Sequence, residues 1–76
     1  MSHVRKRSVT VKGHRTSFSV EDEFFAELEQ LATSGNRSLA SLVAEIDANR
    51  PAGANLSSAI RLHILARLKE RLPAAD

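Results

Sequence analysis

Glu45 and Asp47 are the carboxylates nearest to a general acid–base pair in this chain, and their spacing argues against that chemistry. Two residues apart on one helix, they do not face each other. Asp47 instead meets Arg50 three residues on, so a helix-end ion pair is the expected role. His3, His14 and His63 are scattered without ligand spacing, and the absence of cysteine removes disulfides, thiolate metal sites and thiol catalysis together. His63 reads as a packed or half-exposed helix residue. No glycine-rich phosphate loop or nucleophile elbow occurs. No enzyme activity, metal or cofactor is expected. The remaining polar constellation is "RTSFSV", where Arg15, Ser17 and Ser19 alternate with apolar residues. By itself such a row is an ordinary solvated sheet face.

The charges are segregated. Residues 1–20 hold Arg5, Lys6, Arg7, Lys12 and Arg15 and no acid. Residues 21–47 hold seven acids against Arg37 alone, and residues 48–76 hold five bases and two acids. A net charge of +2 therefore conceals a basic end that suits a polyanion.

With 76 residues the chain makes one small domain. Chains of this size bury only about 60% of their unfolded surface. Without disulfides or a metal, oligomerisation is the remedy left. The longest apolar stretch is broken by Arg61, His63 and Arg67, so no membrane span is expected. No hydrophobic region follows the basic N-terminus, which argues against a secretory signal. An acid-free, arginine- and serine-bearing start also suits a transit peptide, but a structural role for these residues is preferred. A cytoplasmic protein is expected.

The elements follow from periodicity. Phe24, Phe25, Leu28, Leu31 and Ala32 fall at helical spacing behind Glu21, Asp22 and Glu23, whose carboxylates suit a helix N-terminus. Gly35 is placed as the stop. Ser38 is a good N-cap for a second helix whose stripe is Leu39, Leu42, Val43 and Ile46, fading by Asn49 ahead of Pro51. A third helix runs from about Ser57 to Leu72, capped by Asn55 or Ser57 and followed by Pro73. Its apolar residues cover two sides, which predicts two packing partners, its own domain and a second subunit. Upstream, Phe18 and Val20 alternate with Arg15, Ser17 and Ser19 in a short strand. A lone strand leaves backbone groups unpaired, so the same strand of another copy is the expected partner.

This pattern of ribbon "RTSFSV", helix "EDEFFAELEQLATSG" and second helix "NRSLASLVAEI" resembles the ribbon-helix-helix family of bacterial DNA-binding proteins. "GHRTSFSV", "EID" and "NLSSAIR" are similar to a subfamily with an added C-terminal helix. Glu21 stands where many such ribbons have proline. The resemblance implies a mainly α fold with a short β-ribbon, a β-α-α core over residues 15–50 and a helical extension over 51–76, in an intertwined homodimer. It also implies a nucleoid-associated repressor or other transcriptional regulator that binds double-stranded DNA through an antiparallel ribbon in the major groove. Arg15, Ser17 and Ser19 would then read bases, and Phe18, Val20, Phe24, Leu28, Leu42 and Ile46 would form the dimer core. Arg37, with the backbone at Ser38, Leu39 and Ala40, would meet phosphate, helped by Lys12, His14, Arg5, Lys6 and Arg7.

Residues 1–14 admit two readings. "RSVTVK" also alternates, yet in one unbroken strand Val9 and Val11 would share a face with Arg15, Ser17 and Ser19. A Lys12-Gly13 turn would restore parity as a hairpin, setting Val9 opposite Thr16 on the Phe18 face, but a dimer would then carry four strands, too wide for a groove that admits two. A bend at Gly13 would leave residues 1–12 as a basic arm along phosphates, and this reading is preferred. Two other functions share the fold: a toxin-masking antitoxin, and a dimeric protein-interaction module with a partner held by residues 51–76.

Overall fold

The computed structural model describes residues 3–72 and contains a hairpin followed by three helices. The two strands are β1 (Val4–Val11) and β2 (His14–Glu21). The helices are α1 (Asp22–Ser34), α2 (Leu39–Asn49) and α3 (Leu56–Glu70). Pro73 lies outside the described residues.

Within the chain, "RTSFSV" has a strand partner that the sequence reading did not prefer, β1. β1 and β2 pair antiparallel from Val11↔His14 out to Val4↔Glu21. This corrects the preference for an arm: residues 4–11 are strand. The physical reason lies at the turn. Lys12 and Gly13 both adopt positive φ, 50° and 79°, the geometry whose twist matches the flanking strands. Two turn residues restore parity, Val9 falls opposite Thr16, and Val9 packs against the core that holds Phe18. A Cβ at Gly13 would meet nothing within 4 Å, so the position is selected for conformation alone. Gly13→Ala should therefore cost about 1 kcal/mol, the penalty of placing an L-residue in the left-handed region. A fall in melting temperature of roughly 4–8 °C is the expected readout.

The helices cover one face of the hairpin. Phe18 (3% exposed) and Val20 (0%) point into a core built from Leu28 and Ala32 of α1, Leu42, Val43 and Ile46 of α2, and Ile60 and Ile64 of α3. Phe24 is half-buried at its margin. α2 lies against β1, while α3 and α1 lie against β2.

The helix ends show how local chemistry sets these boundaries. α1 stops where sequence places the stop, but Asn36 rather than Gly35 takes the left-handed conformation (φ 56°). Asn36 N–H donates to the Thr33 carbonyl and Arg37 N–H to the Ala32 carbonyl, closing the helix with a paired reverse turn. Ser38 caps α2, its Oγ accepting from the Ser41 N–H at 3.0 Å. Asn55 caps α3, its Oδ1 accepting from the Ser57 and Ser58 N–H groups. Arg50 reaches Asp47 at 2.6 Å, the expected helix-end ion pair.

Candidate nucleic-acid interface

The tight turn makes Val11↔His14 a hydrogen-bonded pair, and the alternation of an antiparallel ladder then decides which backbone groups point outward. Ser19, opposite Lys6, directs its N–H and C=O away from β1. α3 takes up both. Ser57 Oγ accepts from the Ser19 N–H at 2.8 Å, and Arg61 Nη2 lies 3.5 Å from the Ser19 carbonyl. Arg61 also bonds Glu21 at 3.0 Å and sits 5.7 Å from the Phe24 ring centroid. β2 is thus flanked by β1 on one edge and held by α3 on the other.

The face of the hairpin turned away from the helices carries two polar rows. β2 supplies Arg15, Ser17 and Ser19, and directly across from them β1 supplies Thr10, Ser8 and Lys6. Ser8 and Ser17 lie at the centre, their hydroxyl oxygens 3.3 Å apart. Ser19 is half-buried and the other five are exposed. The three base-reading candidates from sequence are therefore brought together on one face. Sequence reasoning placed Lys6 among phosphate contacts and left out Ser8 and Thr10. The signal for them was the alternation in "RSVTVK".

The candidate phosphate contacts separate into three groups. Lys12 and His14 are exposed at the hairpin tip. Arg5 and Arg7 have the parity of Phe18 and turn toward the helices. Arg7, whose side chain is 17% exposed, pairs with Asp22 and stacks 4.1 Å from the Phe25 ring centroid, and Arg5 approaches the same Asp22 at 3.5 Å. Arg37 runs along α2 rather than out from its start: it bonds Glu45 at 2.6 Å and the Ser41 carbonyl at 2.9 Å. Ser38 is engaged as the cap, and Leu39 is half-buried against the core.

These contacts also set the acid titrations. The Arg7 hydrogen bond holds Asp22 below its ordinary value, assisted by the charge of Arg5. A backbone hydrogen bond, then Arg61, lowers Glu21, and Arg37 lowers Glu45. Burial, with Arg67 beside it, pushes His63 down. Carboxylates lowered in the folded state contribute stability that is complete above their unfolded value, near 4, and lost as pH falls through the folded value. The lowered His63 adds an earlier loss, because below about 6.5 the unfolded chain takes up a proton that the folded one disfavours. The urea midpoint should therefore begin to fall below about pH 6.5 and fall further below about 4. Arg7→Met should shrink that further fall by the share of Asp22.

A family model described as the ribbon-helix-helix domain matches residues 4–68, which takes in the hairpin and nearly all of the three helices. The chain belongs to the ribbon-helix-helix domain family. A search of curated proteins and one of solved structures each returned no match. In this ribbon-helix-helix domain β2 is preceded by a strand of the same chain, and most of α3 lies inside the matched region. Among the described residues no helix is long and apolar enough to cross a membrane, and no group of histidine and acidic side chains could hold a metal ion.

Proposed function

We propose that the protein is a sequence-specific DNA-binding regulator whose hairpin enters the major groove with its polar face against the bases. One observation carries the reading: in a ribbon-helix-helix domain, the hairpin turns six polar side chains outward in two facing rows. The major groove admits a two-stranded ribbon, and this chain supplies both strands itself.

The dimensions support the reading. Alternate residues on a strand lie about 6.8 Å apart, close to twice the rise of a base pair. Arg15, Ser17 and Ser19 would then follow roughly four base pairs. Arg15 has the two-pronged donor that matches the N7 and O6 acceptors of guanine, and the serine and threonine hydroxyls can donate or accept. Lys12 at the tip adds charge toward the backbone.

Fluorescence titration of DNA fragments at 50 and 200 mM salt tests this proposal. Binding that weakens with salt and differs between fragments supports it. Equal or absent binding across a genomic fragment set would remove it.

A further inference from the structure

We infer that the cavity where the end of α1 meets α2 and α3 is a binding site for a small organic oxyanion, a carboxylate or phosphate group carried on a compact apolar body. The cavity measures about 420 Å³, a size that suits a small molecule. Among the described residues, its lining comes from the three helices and the α1–α2 connection, so it lies apart from the outer face of the hairpin. Leu31 and Leu42 supply its apolar part. Around them stand the guanidinium groups of Arg37, Arg67 and Arg71 and the ring of His63, against the carboxylates of Glu45 and Glu70.

The partners these charges already have decide which of them are open to a ligand. Arg37 is committed. It bonds Glu45 at 2.6 Å and the Ser41 carbonyl at 2.9 Å, which neutralises Glu45 and fixes that wall. Arg71 is open: its nearest carboxylate, Glu27, lies 3.6 Å away, beyond hydrogen-bond reach, and its guanidinium makes no hydrogen bond among the described residues. Arg67 meets Glu70 at 3.1 Å, but both side chains are more than half exposed, and an exposed pair of this kind is readily exchanged for another anion. The ring of His63 also makes no hydrogen bond among the described residues. Two guanidiniums and an imidazole with open donors therefore border one cavity, and guanidinium groups grip carboxylate or phosphate with two parallel bonds. The negative end of α1 does not oppose this. Its carbonyls at Leu31, Ala32 and Thr33 accept from the N–H groups of Gly35, Arg37 and Asn36. Leu31 and Leu42 leave room for an apolar body behind the charged group.

Nuclear magnetic resonance titration of the full chain tests the site without any DNA, using benzoate, its uncharged isostere benzamide, and inorganic phosphate. Benzoate should bind with a dissociation constant of about 1 mM and shift the Arg71 Nε–H and His63 ring signals. Benzamide lacks the charge and phosphate lacks the apolar body, so each should bind about tenfold more weakly. Arg71→Gln should weaken benzoate about tenfold with the helical spectrum retained, since the side chain is half exposed. Lys69→Gln removes the same charge from α3 outside the cavity and should leave benzoate binding unchanged. Silence of Arg71 and His63 toward benzoate would overturn the inference. So would benzamide or phosphate binding as tightly as benzoate, or Lys69→Gln weakening it as much as Arg71→Gln.

Discussion

Phe18→Asp is expected to abolish folding outright, giving a coil spectrum by circular dichroism in place of a helical one. Phe18 is 3% exposed and its ring stacks on Phe25 with centroids 6.4 Å apart. It sits where the hairpin meets all three helices. Truncating a buried phenylalanine costs about 3–5 kcal/mol, before the cost of placing a carboxylate in the same apolar site. Small domains have roughly 5–15 kcal/mol in total, and one of this size lies near the lower end. A helical, cooperatively unfolding Phe18→Asp protein would mean that the hairpin is not part of the core.

The inward role of Phe18 was legible from sequence because the strand period is two and Val20 shares its parity. Ser38 and Asn55 were legible as caps for a comparable reason, since a cap acts over two or three residues. What was hidden lay at longer range. The bases of residues 4–11 suggest a solvated arm or a polyanion contact. Two of them, Arg5 and Arg7, instead meet Asp22, 17 and 15 residues away, which neutralises part of that charge. Arg37 is held by Glu45, eight residues away and beyond the neighbour spacing that a helix pattern displays. Ser57 and Arg61 are 38 and 42 residues from Ser19, so nothing local marks the closed edge of β2. The turn residues themselves were visible. Lys12-Gly13 was the correct signal, outweighed by an argument from charge.

The second large effect concerns Arg15. Arg15→Ala should lower affinity for a preferred site by about 1–3 kcal/mol, roughly 5- to 150-fold, and blur the preference among related sites. The side chain is exposed on the outer face opposite Thr10, so its removal should leave the melting temperature unchanged. Lys12→Ala provides the contrast. As a charge at the tip it should weaken all sequences alike and reduce the salt slope by about one. Loss of discrimination in Lys12→Ala, with Arg15→Ala behaving as a uniform weakening, would reverse the roles assigned to tip and face.

Groove placement is the central claim, and guanine methylation on bound DNA tests it most directly. Guanine N7 lies in the major groove and adenine N3 in the minor groove, so dimethyl sulfate reports on both at once. With the hairpin in the major groove, guanines within a site of about four base pairs should be protected at N7 by the wild type. Arg15→Ala, at concentrations that still saturate the DNA, should lose the strongest of these protections. Protection confined to adenine N3, or N7 protection that Arg15→Ala leaves untouched, would contradict the account.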